Sequence, residues 1–475
     1  MLKRVIGLGC VLAAIAAAVP ASAQTPTFNK DVAPILFRSC AECHRPNQIA
    51  PMALLSYQDA RPWARAIKAK IQAREMPPWF ADPQFGKFKN DRSLTDAEIR
   101  TITAWADAGA PQGTGTAPPL PRFADAGWSH PSGQAPDLVI ELPVAWKVDP
   151  QGEMPNFNLY TPLPFNEARL VSATQVLPGN VEATHHITTN VQNMPPGTRL
   201  GTGPAWPGGP VNEYVPVAAE RGVTVENTGD LAVAEDEDDG GGFGAYIPGA
   251  GARVSRPGQA RLIRGDRFRY IRWNLHYQAT GKPETATPSI GVWWKPPGDV
   301  TSVEQSQRMV EQTSEGEPVL GGVRPRLSTG SGTGVNPMLA PIPPRDGNWT
   351  VTGVAPFQDD VTLYGFTLHM HLRGKDVTFL LTRPDGREEV MLRVPNYDFN
   401  WQFPYELAQP VKVPAGSTMK AIARYDNSSK NRMNPSPDKE VYWSEQSWDD
   451  MFLTSVRFSV DKLEKKPPST SQGQP

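Results

Sequence analysis

Cysteine is almost missing from this 475-residue chain: there are three, and Cys10 lies within the first 23 residues. Without that segment only Cys40 and Cys43 remain, and they share one short motif, so none is left for structural bridges. The domains must then be held by their cores. Net charge is also nearly absent, with 47 basic against 49 acidic residues. That balance points to neither nucleic acid nor an anionic membrane surface as a partner. Beyond the first segment no run of roughly 18 apolar residues occurs, so no stable membrane span is expected. Histidine is scarce as well, seven in all, yet five fall into three tight groups: His185-His186, His276 and His369-Met370-His371. Imidazole is the commonest side-chain ligand for copper, zinc and iron. Clustering in so poor a supply points to bound metal.

The first segment carries Lys3 and Arg4, an apolar stretch from Val5 to Val19, and Pro20-Ala21-Ser22-Ala23 before Gln24. This order of basic, apolar and small residues reads as a secretory signal cleaved near Ala23/Gln24, and it predicts a periplasmic or secreted protein. Gly7-Leu8-Gly9 ahead of Cys10 make a poor lipid-attachment site. Removing Lys3 and Arg4 leaves 45 basic and 49 acidic residues, a net charge of −4.

About 450 residues suggest roughly three domains. Residues 24–112 have helical texture. Trp63, Ile67 and Ile71 form one apolar stripe in a helix over about 61–75, stopped by Pro77-Pro78. A second helix is expected over about 96–108, with Thr95 and Glu98 as a capping box, Ile99, Ile102 and Trp105 inward, and Gly109 as its stop. The run 113–134 begins rich in Gly, Thr and Pro and reads as a linker. After about 135 the pattern becomes short alternating segments such as Asp137–Leu142, Ala260–Ile263, Arg269–Leu275 and Ser289–Trp294, punctuated by many of the 50 prolines and 41 glycines. A hairpin is expected from Val377 to Val394 about Pro384-Asp385-Gly386. The acidic run Glu235–Asp239 reads as a solvated loop. Residues 301–340 are polar and read as a linker, and 464–475 as a disordered tail. The expected architecture is a small all-α domain (24–112) followed by two all-β, jelly-roll-like sandwich domains (135–300 and 341–463).

Cys40-Ala41-Glu42-Cys43-His44 is the attachment motif of a c-type haem: two thiols add to the porphyrin vinyl groups and the histidine ligates iron. A thioredoxin-like pair or a zinc half-site would leave His44 unexplained, and no second cysteine pair exists. The stretch resembles the cytochrome c family. For the sixth ligand two methionines compete, Met76 in the proline-stiffened Glu75-Met76-Pro77-Pro78-Trp79 and Met52 in Ala50-Pro51-Met52; Met76 is preferred. A thioether ligand raises the potential and suits electron transfer.

On a strand His369 and His371 project to one side and can share an ion. His185 and His186 would point to opposite sides unless a bulge or strand end intervenes. In order, Thr184-His185-His186, Asn274-Leu275-His276-Tyr277, His369-Met370-His371-Leu372-Arg373-Gly374-Lys375 and Asp449-Asp450-Met451 resemble the copper type II, ascorbate-dependent monooxygenase family, which includes peptidylglycine α-hydroxylating and dopamine β-monooxygenases. The resemblance spans about 135–460 and is strongest after 340, where Tyr397–Gln402 and Tyr425-Asp426-Asn427 also match. It implies two β-sandwich domains with one copper each: His185, His186 and His276 hold an electron-supplying copper, and His369, His371 and Met451 hold the copper that reacts with O₂. A soft thioether favours Cu(I), which fits that division. In the family, solvent separates the two coppers, one oxygen atom enters a C–H bond of a small substrate, and ascorbate or another external reductant supplies two single electrons.

This chain departs from the family in lacking disulfides. Thr367 stands where peptide-amidating members place a carboxylate-gripping arginine, and Phe452, Leu453, Thr454 and Ser455 replace the polar residues that follow the copper methionine. A glycine-extended peptide is therefore not the expected substrate, and a less polar one is. The leading expectation is an exported monooxygenase fed by its own haem. The second is a haem and copper electron-transfer or copper-binding protein of the cell envelope without hydroxylase activity. His130, just after the linker, reads as an ordinary surface histidine.

Overall fold

The computed structural model describes residues 25–461 apart from 193–211, 214–241, 313–325, 328–333, 336–339 and short stretches at 47, 122, 124–126, 144, 153–155, 309 and 444–446. The expected signal segment, the acidic run, most of the later part of 301–340 and the tail lie outside these residues. Among the described residues no helix is long and apolar enough to cross a membrane.

The helices lie near the start of the chain, at Ala33–Ser39, Tyr57–Ala60, Ala64–Gln72 and Asp96–Asp107, and share a core of Phe28, Leu36, Ile67, Ile71, Ile102 and Trp105. The Thr95–Glu98 capping box is formed in both directions, and Gly109 ends the helix at φ +83°. Trp63 departs from the expected stripe. Arg61–Trp63 is a 3₁₀ turn ahead of the α-helix, which rotates Trp63 away from Ile67 and leaves it 44% exposed.

Beyond these helices, the regular structure of the described residues is sheet apart from a 3₁₀ turn at Pro297–Asp299. A nine-stranded sheet runs Leu138–Glu141, Ser289–Trp294, Ala168–Leu177, Gln259–Arg264, Ser302–Arg308, Leu453–Val460, Val361–His369, Tyr405–Val413, with Arg253–Val254 beside its third member. A five-stranded sheet built round Thr184–Gln192 and Tyr270–Tyr277 covers its first half, and Ile187, Trp273, Leu275, Val171, Ile263 and Ile290 fill the space between. A second five-stranded sheet covers the other half. There Thr418–Tyr425 alternates strictly, burying Met419, Ala421, Ala423 and Tyr425, and Phe366 meets Phe379 at 4.9 Å. The expected hairpin is present as Gly374–Thr382 paired with Glu388–Val394, turning at Gly386 with φ +83°.

Two joints differ from the sequence reading. Residues 302–308, expected as linker, form a strand that pairs parallel with Gln259–Arg264 and antiparallel with Leu453–Val460, so one sheet runs through both sandwiches. Its polar character has a reason: Glu304 is buried against Arg253 and lies 3.7 Å from Arg457, which also meets Glu406 at 3.3 Å. The second joint lies inside 24–112. Segment 79–90 leaves the helical core and docks on the second sandwich, where Lys89 N donates to Glu406 O at 2.8 Å and Ala408 N to Lys87 O at 2.7 Å. Trp79 and Phe88 pack on Tyr405 with centroids at 5.0 and 5.6 Å.

Candidate metal centre

The antiparallel register of Tyr270–Tyr277 with Thr184–Gln192 pairs His276 with His186 and then Tyr277 with Thr184, skipping His185. His185 is thus the extra residue of a bulge, and the bulge turns its ring to the side of its neighbour. Centroids of His185, His186 and His276 lie 4.8–5.3 Å apart, and one nitrogen from each falls within 4.8 Å of the others. His185 Nδ1 and His186 Nδ1 are 3.0 Å apart. Imidazole nitrogens about 2.0–2.1 Å from one ion sit about 3 Å from each other, so the spacing fits two ligands of a single metal.

His369 ends its strand, and His371 lies two residues on in the following turn, with ring centroids 5.0 Å apart. Between them Met370 points into the core, and the Tyr397 hydroxyl clamps its peptide, accepting from Met370 N at 3.1 Å and donating to Met370 O at 2.7 Å. Gly374 permits this approach: a Cβ there would come within 2.7 Å of the Tyr397 ring. His369 Nδ1 donates to Gln402 Oε1, which leaves Nε2 as the nitrogen with a lone pair.

Met451 enters through Asp450. One carboxylate oxygen accepts from His371 N and from Met451 N, each at 2.9 Å, and the other from Arg373 N at 3.2 Å. The two strands pair as far as His369 and Leu453, and beyond that point the shared Asp450 oxygen ties the backbone N–H of Met451 to that of His371. Burial pushes the Asp450 carboxyl up to about 7, against these amides and the nearby Arg373 guanidinium. Arg373, wholly buried, spans Asn427 Oδ1 and Trp448 O, both at 2.9 Å. Phe452 is buried in the core of the second sandwich. Leu453, half-buried opposite His369, remains at the surface of the cluster.

The two histidine sets meet. His186 and His369 have centroids 6.1 Å apart, and the Phe399 ring stacks on His185 at 4.8 Å and lies 5.7 Å from His371. All five histidines form one cluster where the sandwiches face each other, unlike the solvent-separated pair the resemblance implies. Burial lowers His185 and His369 to about 4 and also lowers His186 well below the ordinary imidazole range, so these three rings stay neutral and able to ligate.

Cys40, Cys43, His44 and Met76 line a second cleft, together with Arg92 and Trp401. His44 Nδ1 donates to Met52 O at 3.2 Å, which leaves Nε2 as its lone-pair nitrogen and ties residue 52 to the histidine's own side. Burial pushes the Cys40 thiol up to about 12 and raises Cys43, the reverse of an activated redox thiol. Gly249 of the first sandwich, at φ +79°, closes in: a Cβ there would lie 3.0 Å from Cys43 Sγ. His130 stacks on Trp293 at 5.1 Å and joins neither site.

Gln402, Phe399 and Tyr397 stood in a stretch matched by resemblance but carried no assigned role; Arg92 and Gly249 carried no sequence signal. Together these features define a histidine cluster on paired β-sandwiches with the donor set to hold a metal ion. Residues 334–435 match the family model of the copper type II ascorbate-dependent monooxygenase, C-terminal domain, a stretch that includes His369 and His371. No curated protein matches the chain. Among solved structures, the chain resembles an infectious bursal disease virus VP2 subviral particle at 10% identity over 67% of this chain and 58% of that one, TM-score 0.17. It also resembles a structure of PNGF-II at 10% identity over 71% and 63%, TM-score 0.20. The chain spans less than two thirds of the length of each, and at these scores the likenesses carry no argument.

Proposed function

We propose that this chain is an exported copper monooxygenase that hydroxylates a C–H bond of a small substrate with O₂, using electrons relayed by a covalent c-type haem. The carrying observation is that His185, His186, His276, His369 and His371, from three distant parts of the sequence, converge in one cluster, with the Met451 backbone tied to that of His371 through Asp450. His185, His186 and His276 would hold one copper, and His369, His371 and Met451 the other. Bound copper would supply one-electron storage and reactivity toward O₂. The protein's part is positional. Gln402 fixes the tautomer of His369, Tyr397 pins the peptide between the two histidines, and Asp450 sets the backbone of His371 and Met451 with one carboxylate. Leu453, opposite His369, and Thr367, two residues before it, favour a substrate less polar than a peptide carboxylate.

Cys40 and Cys43 would carry the haem thioethers and His44 would be the proximal ligand. Met76 is supported as the sixth ligand over Met52: Met76 lines the cleft, whereas the Met52 carbonyl holds the His44 ring from behind. Bound haem would supply single electrons, drawn from ascorbate or another external donor. Overall, R–H, O₂, two electrons and two protons give R–OH and water. Stopped-flow mixing of reduced, metal-loaded protein with O₂ and a panel of small substrates tests this. Haem oxidation should track product formation; a haem that stays reduced through turnover overturns the relay, and absence of any oxygenated product overturns the enzyme.

A further inference from the structure

We infer that the segment 399–403, Phe-Asn-Trp-Gln-Phe, is the electronic contact between the thiol-lined cleft and the histidine cluster, with Trp401 at one end and Gln402 at the other. This rests on the proposed reading that the cleft holds haem and the cluster holds copper. Trp401 comes to the cleft wall from the second sandwich, whereas the other side chains that line it belong, among the described residues, to 39–92. The next residue, Gln402, accepts from His369 Nδ1 and donates from Nε2 to Phe399 O at 2.7 Å. Phe399 in turn lies parallel to His185, at 24° and 4.8 Å. A single peptide bond therefore joins a residue at the haem cleft to a residue hydrogen-bonded to a proposed copper ligand.

The segment is held at both ends. Phe403 stacks on Trp401 at 19°, and the Arg92 guanidinium lies 4.4 Å above the Phe403 ring while also approaching Cys43. Tunnelling falls off far more steeply through space than along bonds. A path through the Trp401 indole, the 401–402 peptide unit, the Gln402 side chain and one hydrogen bond connects the cleft to His369 without crossing solvent. Each transfer would take one electron from ferrous haem, leaving it ferric, and would reduce one Cu(II) held by the histidine cluster to Cu(I). No bond is made or broken, and no proton need move. The external donor then restores the ferrous haem. Trp401 and Gln402 are positioning residues for the redox partners, not groups that touch substrate.

The test uses the full-length protein loaded with haem and copper. A flash-generated one-electron reductant reduces the haem, and its reoxidation by Cu(II) is followed by absorbance, without substrate or O₂. Trp401→Leu should slow this intramolecular step at least tenfold, and Trp401→Phe should restore most of the rate. Haem spectrum, haem potential and copper content should stay as in the wild type. Gln402→Leu, which keeps the indole, should slow the step several-fold and serves if Trp401→Leu does not fold. Unchanged rates in the variants, with wild-type transfer intact, would overturn the path while leaving the proposed function standing. No transfer in the wild-type protein, with both metals present, would overturn the relay reading itself.

Discussion

At the scale of single residues, the centre depends on small departures from regular structure. A regular strand would aim His185 away from His186, and one inserted residue in the register reverses that. His185→Ala should therefore remove one of two coppers per chain and spare the one at His369 and His371. Metal analysis of the purified, copper-loaded variant checks this; two coppers retained would mean that His185 is not a ligand. The need for a bulge was legible from two adjacent histidines. The partners that hold the site in place were not. Asp450, Tyr397 and Gln402 reach His371, Met370 and His369 across 79, 27 and 33 residues of sequence, so the stretches that contain them could be matched but their roles could not be read.

At the scale of elements, what is local in origin could be read directly. The capping box at Thr95, the hairpin about Gly386 and the alternation of Thr418–Tyr425 follow from spacing and turn chemistry alone. The strand 302–308 could not be read, because its polar pattern makes sense only beside distant arginines. Burial pushes the Glu304 carboxyl up, but Arg253, Arg457 and Arg261 more than offset it and hold the group at about 2. With an unfolded value of about 4.3, the resulting stability is fully present above that pH and lost as pH falls toward 2. Glu304→Gln should therefore be less stable at neutral pH by about 3–5 kcal/mol, since it leaves buried arginine charge uncompensated. The difference from wild type should shrink as pH falls from about 4.5 to about 2. Denaturation midpoints across that range check it, and a difference independent of pH would show that Glu304 is not charged in the fold.

At the scale of the whole molecule, the three parts interlock rather than hang on linkers. Segment 79–90 adds helical-region residues to the second sandwich, and Lys89, Glu406, Arg457, Glu304 and Arg253 form a chain of ion pairs across all three. This interlocking sets the two histidine groups face to face and puts Trp401 at the wall of the cysteine-lined cleft. From the sequence, the two histidine sets could be recognised but their meeting could not, because it depends on a strand that reads as linker. The central claim is that these histidines and Met451 build a two-copper centre of mixed nitrogen and sulphur ligation. X-ray absorption at the copper edge of the fully reduced, two-copper protein tests it most directly. The account predicts a sulphur scatterer on half of the copper in the wild-type protein and none in Met451→Leu, with nitrogen ligation otherwise kept; a wild-type spectrum without sulphur, or one unchanged by the substitution, would contradict it.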